Sequence, residues 1–356
     1  MNGRIIGEYR KYVRRRMLFM LLLAMLLVAT ALWSTVSGSA DIRVADVFGL
    51  FRGEGTDFAY RVVWHIRLPR IIAAVLSGMA LAVSGAVIQS LLRNPLASPY
   101  TLGISGSAAF GAAFAIVMFG ASAAGGSSDF AATGNPHAVA LSAFAWSLTG
   151  VGMIFLLSRY RGATPETVIL SGIIVTSLSG AGISAMQYFA GSVQLAAIVF
   201  WSFGDLGRAS WDNLWILLTL LVPAMLFFGW HMWTYAAMQS GDEHARSLGV
   251  KVHTVRLGGL VAAALLTSVV VSLYGVIAFV GLVVPHIVRR IIGHDEQFLL
   301  PASALFGGFF LLFSDTLART LLAPVVLPVG ILTSFAGAPL FLFLLLRGSA
   351  GRSNRI

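Results

Sequence analysis

The sequence predicts an all-α integral membrane protein. Of its 356 residues, 58% are hydrophobic and 11% are charged, and the mean hydropathy is +0.86. A soluble domain averages about 45–50% apolar and about 25% charged residues. Because a globular core cannot absorb this excess, lipid must surround most of the chain. Long apolar runs separated by polar loops support the same fold class.

The first apolar run, 17–36, follows three consecutive arginines, Arg14 to Arg16. These features, with small residues at 37–40, could also belong to a signal peptide. However, the run is about as long as a spanning helix and longer than a signal-peptide core of about 7–15 residues. We therefore expect it to remain as the first transmembrane helix.

Nine further apolar segments follow, several of them interrupted by Gly or Pro. They lie at 70–92, 99–119, 138–157, 167–190, 213–232, 254–272, 276–291, 302–322 and 329–346. The prediction is one transmembrane domain of about ten helices over 17–346. A basic cytoplasmic tail (1–16) precedes it, and a second cytoplasmic tail (347–356) follows.

The basic residues indicate the orientation of the chain. With the N-terminus in the cytoplasm, 17 of the 24 Lys and Arg residues fall on the cytoplasmic side and 7 on the other side. This is the bias of the positive-inside rule. The net charge of +10 thus needs no nucleic-acid partner, and we expect a multi-pass protein of the cell inner membrane. The chain has no Cys, which excludes disulfides, thiolate catalysis and Cys-ligated zinc.

A faint internal repeat suggests two halves. Residues 67–74 resemble 256–263 at an offset of 189, and with one residue of slippage Gly103 falls on Gly293. In the assigned topology the first copy begins outside and the second inside. Two halves of inverted topology are a common plan of transporters.

A compact polar stretch, MQSGDEHARSLGV over 238–250, lies in a cytoplasmic loop between two apolar runs. Ser240 and Glu243 have the spacing of a capping box. Gly249 is placed to end the helix in a left-handed conformation. Such a short helix is marginal in water and needs a packing partner; the alternative is a solvated connector.

Several motifs resemble one family. They are Arg67-Leu-Pro-Arg70, Ser84-Gly-Ala-Val-Ile-Gln89, Arg93-Asn-Pro-Leu-Ala-Ser-Pro99, Leu102-Gly-Ile-Ser105, Phe279-Val-Gly-Leu-Val-Val-Pro-His-Ile287, Asp315-Thr-Leu-Ala-Arg319, Pro328-Val-Gly-Ile-Leu-Thr333 and Gly337-Ala-Pro339. In this order they are similar to the permease subunits of ATP-binding-cassette importers for iron-siderophore complexes, haem and cobalamin, the FecCD-like type II importers. Where family members commonly carry an acid before the Leu-Pro-Val-Gly run, this chain has Val326.

The resemblance implies a homodimer with the pathway on its two-fold axis, two ATPase subunits and a periplasmic or lipid-anchored substrate-binding protein. It places the family's coupling helix at 241–249 and implies contact with the ATPase at Ser240, Gly241, Asp242, Glu243, Ala245, Arg246, Leu248 and Gly249. The chain has no G-x-x-x-x-G-K-[ST] phosphate loop. ATP and Mg are therefore expected on the partner, with no cofactor in this chain.

The resemblance also implies docking and gate residues. Docking to carboxylates of the binding protein is expected at Arg61, Arg67, Arg70 and Arg319, because guanidinium binds carboxylate bidentately; the alternative is anchoring to lipid headgroups. Pathway or gate residues are expected at Gln89, Asn94, Thr164, Pro165, Glu166 and Gln187.

Seven histidines are scattered without the spacing of metal ligands, so we expect no metal site. His286 is interpreted as structural, and His65 is kept as a candidate for haem. The predicted function is the permease of an iron-siderophore importer, with haem or cobalamin as alternative cargo. An ion-coupled secondary transporter is a further alternative, but Asp315 is the one acid expected within a helix, and it is spaced to pair with Arg319. A membrane enzyme lacks a recognisable catalytic constellation.

Overall fold

The computed structural model describes residues 2–38, 49, 56–120, 136–161 and 164–350, with backbone alone at 2–6, 161 and 344–350. The described helices are α1 (Asn2–Val36), α2 (Asp57–Leu92), α3 (Ile104–Met118), α4 (Pro136–Arg161), α5 (Pro165–Phe189), α6 (Ser192–Ser202), α7 (Trp211–Gln239), α8 (Asp242–Ser247), α9 (Val252–Tyr274), α10 (Val280–Ile292), α11 (Glu296–Thr320) and α12 (Val329–Ala350). A 3₁₀ turn, Leu206–Arg208, precedes α7.

Each of the ten apolar segments predicted from the sequence coincides largely with a helix. Seven helices, α1, α2, α4, α5, α7, α9 and α11, are long and apolar enough to cross a membrane. The other three predicted segments correspond to the shorter α3 and α10 and to α12. The all-α membrane fold is therefore confirmed.

The differences from the prediction include two helix starts and one missed helix. The basic segment at the N-terminus is helical and continuous with the first span, since α1 begins at Asn2. The segment predicted at 276–291 begins with non-helical backbone, and α10 starts only after Phe279 takes a left-handed conformation (φ +67°). The 11-residue α6 was missed because it is too short to register as a spanning segment.

The second helix, α2, lies at the centre of the bundle. In its most apolar 18-residue window, 78% of residues are buried, the largest share among the candidate spans. It contacts α11, α10, α9 and α7. Two glycine pairs bring backbones together: a Cβ added at Gly85 would lie 1.8 Å from the carbonyl oxygen of Gly281, and one at Gly78 would lie 2.2 Å from that of Gly307. Small residues permit such close approach of helices in lipid.

A π-helical segment, Val62–Arg67, interrupts α2 near its start, and the amide of Leu68 donates to the carbonyl of Val63. Pro69 follows directly. Proline cannot donate to the carbonyl four residues earlier, and its ring crowds that carbonyl. The wider turn before Pro69 accommodates both effects, and Arg67 faces the protein interior.

The two helices of the repeat run antiparallel, as inverted halves require. At the end of α2, the carbonyl of Leu91 accepts a hydrogen bond from Arg256 near the start of α9, at 3.2 Å. At the other end, Arg70 lies 3.5 Å from Asp205, whose amide donates to the carbonyl of Tyr274, the last residue of α9.

One detail of the repeat was wrong. The sequence alignment placed Gly103 on Gly293, but Gly103 (φ +77°) caps the start of α3 and Gly293 (φ +88°) follows the end of α10. Both glycines serve a left-handed backbone position, and this shared composition produced the match.

We predict that Gly85→Ala lowers the free energy of unfolding by about 1–3 kcal/mol, because the added methyl group must push the backbones of α2 and α10 apart. Thermal unfolding of the purified protein in detergent measures this. Gly180→Ala is the matched control, since a Cβ there meets no atom within 4 Å. Equal melting temperatures for the two variants would show that the contact is not tight.

Candidate functional site

The polar stretch forms the short helix α8, but its start differs from the prediction. Gly241 is the N-cap residue, at φ +116°, and no side chain caps the helix. Ser240 instead ends α7 in a right-handed helical conformation (φ −75°, ψ −3°). An N-cap side chain needs extended backbone. The prediction of a capping box at Ser240 and Glu243 is therefore wrong, because α7 extends up to Gln239 and Ser240 ends that helix.

The end of α8 has the geometry predicted for it. Gly249 is left-handed at φ +83°. The amide of Val250 donates to the carbonyl of Ala245 at 3.0 Å, and the amide of Gly249 donates to that of Arg246 at 2.9 Å. These two bonds form a Schellman motif. The C-terminal cap at Gly249 is confirmed.

One face of α8 is held against the bundle. Asp242 lies 2.7 Å from Arg256 of α9 and 3.4 Å from Arg93 at the end of α2. The hydrogen bond from Arg256 holds the pKa of the Asp242 carboxyl below its usual range. Ala245 is fully buried. The resemblance placed Ala245 in contact with the ATPase, but this side chain faces the bundle in the same direction as Asp242.

The opposite face of α8 is open. Its exposed residues are Glu243, His244, Arg246, Ser247 and Leu248, followed by Gly249. Leu248 is 62% exposed, and it is the large apolar side chain of this face. The arrangement offers a partner one apolar contact surrounded by charged and polar groups.

A buried polar cluster lies next to α8, at the ends of four helices. Glu296, the first residue of α11, accepts a hydrogen bond from Ser90 of α2 at 2.5 Å and another from Gln239 at the end of α7. Arg289 of α10 donates to Ser90 at 2.9 Å and also to Gln89. One oxygen of Glu296 has no hydrogen-bond partner among the described residues.

Most of this cluster was not predicted from the sequence. Asp315 was expected to be the one acid within a helix, but Glu296 is also completely buried. Its position directly after the capping Asp295 made it look like a solvated first-turn residue. Only its distant partners Ser90 and Gln239 identify it as part of the interior.

The predicted gate residues lie apart from one another. Gln89 belongs to the buried cluster and donates to the carbonyl of Leu282 at 3.2 Å. Asn94 accepts from the amide of Leu96 at 2.9 Å and forms the turn after α2.

Thr164 is the N-cap of α5 and accepts from the amide of Thr167 at 3.3 Å. Pro165 is buried at the first position of α5, and Glu166 is exposed beside it. Gln187 is half-buried near the other end of α5. Of the set, Thr164, Pro165 and Glu166 are adjacent, and their role at a gate stays a prediction.

The predicted docking arginines are mostly buried. Arg70 forms a bidentate pair with Asp315, with its closest oxygen at 2.8 Å. Arg319 lies 3.2 Å from the same carboxylate, which confirms the spacing-based pair, and it also donates to Ser34 of α1. Arg67 donates to the carbonyls of Thr35 and Val36 at 2.6 and 2.8 Å.

These contacts tie α1, α2 and α11 together at one end of the bundle. Arg61 is the exposed member of the docking set. Each of the three buried arginines already donates to acceptors inside the protein, which leaves fewer donors for a docked partner. Docking by these residues stays a prediction.

The two histidines singled out lie in different surroundings. His65 is exposed, with its ring 6.2 Å from that of Tyr60. The ring of His286 lies 6.1 Å from that of Phe341. Among the described residues, no group of three or more His, Cys, Asp or Glu side chains could hold a metal ion.

Comparison with known proteins identifies the family. The profile of the FecCD transport family matches residues 25–347. The chain belongs to this family. It is 49% identical over 340 residues to a protein of Methanocaldococcus jannaschii described as an ABC transporter permease, covering 96% of this chain and 97% of the other.

Two relatives have named cargo. The hemin transport system permease protein HmuU of Yersinia pestis is 39% identical over 99% of this chain and 100% of its own length. The vitamin B12 import system permease protein BtuC of Vibrio vulnificus is 36% identical over 95% of this chain and 96% of its own length.

The fold also matches a solved structure, described as an inward-facing conformation of a metal-chelate type ABC transporter. The TM-score is 0.81 at 29% identity, with 92% of this chain and 98% of the other covered. The chain is thus a multi-pass membrane permease of a family whose members serve metal-chelate, haem and vitamin B12 import, with the type II importer fold.

We predict that Asp242→Asn loosens α8, because Arg256 then loses its charged acceptor. Amide hydrogen exchange over 242–250 should accelerate by about tenfold or more, as expected when a charged hydrogen bond worth about 1.5–3 kcal/mol is lost. The native pair should persist as pH falls to the usual aspartate pKa of about 3.9 and break only below it, because the folded-state pKa is lowered.

Glu243→Gln is the matched control, since it neutralises an exposed carboxylate on the next residue. If both variants exchange at the native rate, Asp242 does not hold α8 in place.

Proposed function

We propose that this chain forms the translocation pathway of an ATP-driven importer, as the membrane subunit of a homodimer with two ATPase subunits and a substrate-binding protein. The observation that carries the proposal is α8. Its inner face is fixed by Asp242 and Ala245, and its outer face presents Leu248 among charged groups. A clamped helix with one open face suits transmission of force from a cytoplasmic partner.

The polar cluster supports this role. Gln239 ends α7 directly before α8, and its side chain contacts Glu296 of α11. Through Ser90 and Arg289 the contacts continue to α2 and α10. A movement of α8 would therefore act on four helices through hydrogen bonds rather than through the loop alone.

The proposed orientation places α8 in the cytoplasm, on the basis of the charge distribution. The end of the bundle with Arg67, Arg70 and Arg319 then faces the substrate-binding protein. Arg61 is exposed there and is the first candidate for direct docking. We assign the pathway wall to α5, which has an open face including Leu170, Ile174 and Leu178.

The proposed cargo is an iron-siderophore complex, supported by the 35% identity to an iron(3+)-hydroxamate import permease of Bacillus subtilis over 91% of this chain. Haem is the second candidate, supported by the 39% identity to a hemin permease over nearly the whole chain. Cobalamin is the third, supported by the 36% identity to a vitamin B12 permease.

We predict ATP-dependent uptake of a ferric hydroxamate siderophore in proteoliposomes that contain this chain, its ATPase and its binding protein. Haemin and cyanocobalamin, offered at equal concentration, are the comparison. Accumulation of haemin or cyanocobalamin alone would reassign the cargo and leave the importer function intact. Uptake that proceeds without ATP would contradict the importer itself.

We predict that Leu248→Asp weakens binding to the ATPase by about tenfold or more, since burial of one leucine is worth about 1.5–3 kcal/mol. Membrane insertion and melting temperature should stay unchanged, because Leu248 is exposed. Co-purification with the ATPase, together with uptake, measures the effect. Leu248→Met, which conserves volume and apolarity, is the control. Normal association of Leu248→Asp would reduce α8 to a solvated connector.

A further inference from the structure

A half-open cavity of about 610 Å³ lies between α4, α7 and α9, away from α8 and the polar cluster. Its volume is within the range of about 300–1,000 Å³ typical of small-molecule sites. Most of its wall is apolar, and Leu141 and Ile216 at its wall are 69% and 48% exposed. The cavity therefore opens on the face of the bundle that lipid contacts.

One cation lies in this apolar wall. Arg208, the last residue of the 3₁₀ turn, lines the cavity, and its Nε atom is buried without a hydrogen-bond partner among the described residues. Burial lowers the pKa of Arg208, opposed by the charge of Asp205. The Asp205 carboxylate itself accepts from the amide of Gly207 at 2.7 Å and faces Arg70. Arg208 as a whole is half-buried, but a buried guanidinium nitrogen without a hydrogen-bond partner is costly, so an anion that accepts from it would be stabilised.

Other features of the cavity wall also favour an anion. No Asp or Glu is among the described residues that line the cavity. The N-terminus of α7 begins there, at the N-cap Ser210, whose side chain accepts from the amide of Asn213 at 3.3 Å, and the positive end of the helix dipole favours anions. Asp212 in the first turn is exposed and does not line the cavity. Asn213 is already engaged, since it donates to the carbonyl of Arg208 at 3.0 Å.

The position of the cavity along the bundle fits the level of the lipid headgroups. Trp211, at the start of α7, lies 5.3 Å from Trp64 of α2, and Trp64 is 45% exposed. Tryptophans collect at the level of the headgroups. The charge distribution predicts this end of the bundle to be the outer one.

We propose that the cavity binds an anionic phospholipid of the outer leaflet, with its phosphate at Arg208 and the start of α7 and an acyl chain along Leu141 and Ile216. The shared chemistry is a phosphate, which free inorganic phosphate also offers. The apolar wall favours the lipid, since free phosphate would leave that wall uncovered.

The test uses the full-length protein in detergent micelles with phosphatidylglycerol or phosphatidylcholine at equal mole fraction, or with inorganic phosphate alone. Native mass spectrometry counts the lipids retained, and the melting temperature reports stabilisation. Wild type should retain phosphatidylglycerol in preference to phosphatidylcholine and be stabilised by it. The Arg208→Gln variant should retain about tenfold less phosphatidylglycerol than wild type, as expected when one charge-assisted hydrogen bond is lost. The Arg208→Lys variant should recover part of this loss.

Arg159→Gln is the matched control, because it removes an exposed arginine that does not line the cavity and has no role in the proposed function. Ala140→Phe narrows the cavity without changing its charge and should also reduce the retention of phosphatidylglycerol. A structural arginine would give a different result, since Arg208→Gln would then lower the melting temperature even without lipid.

Equal retention by wild type and Arg208→Gln, or an equal loss in Arg159→Gln, would overturn the proposal. Stabilisation by inorganic phosphate to the same extent would assign the site to a free anion. A change of oligomeric mass in Arg208→Gln would assign the cavity to a second copy of the chain. None of these outcomes depends on the ATPase or the cargo.

Discussion

Backbone contact between α2 and its neighbours determines where the other parts of this protein lie. At Gly85 and Gly281, and again at Gly78 and Gly307, the main chains meet with no room for a side chain. Lipid provides no hydrophobic force between helices, so close van der Waals packing must hold them together. With α2 fixed at the centre in this way, the polar residues at its two ends are brought against α9, α10 and α11.

The two ends of α2 then differ in how fully their polar groups are satisfied. At one end the Asp315 carboxylate binds both Arg70 and Arg319, and the arginines use their remaining donors on α1 and Asp205. At the other end Glu296 keeps one oxygen without a partner among the described residues. Since buried charges are costly unless paired, the first end resists rearrangement. The second end, next to α8, can exchange partners at lower cost, which suits the movement proposed for α8.

Sequence reasoning recovered the features that depend on local pattern. Helix positions follow from apolar runs, the left-handed cap at Gly249 from a glycine after a polar helix, and the pair of Asp315 with Arg319 from their spacing of four. It failed where a partner is distant in sequence. Arg70 and Asp315 are 245 residues apart, and Glu296 and Ser90 are 206 apart. The capping box failed for a related reason: Ser240 suits either helix, and the length of α7 decided between them.

The π-helical turn of α2 takes up one residue of chain within this helix. A π turn accommodates one residue more than an α turn, so the turns on either side of Val62–Arg67 keep the azimuth of one continuous helix. A deletion of one residue within this segment would convert it to a regular α-helix and leave both flanks facing their present neighbours. The same deletion between Gly78 and Gly85 would rotate everything before it by about 100° relative to the rest of α2 and separate the two glycine contacts. The short segment therefore tolerates a change of chain length that the packed core of α2 does not.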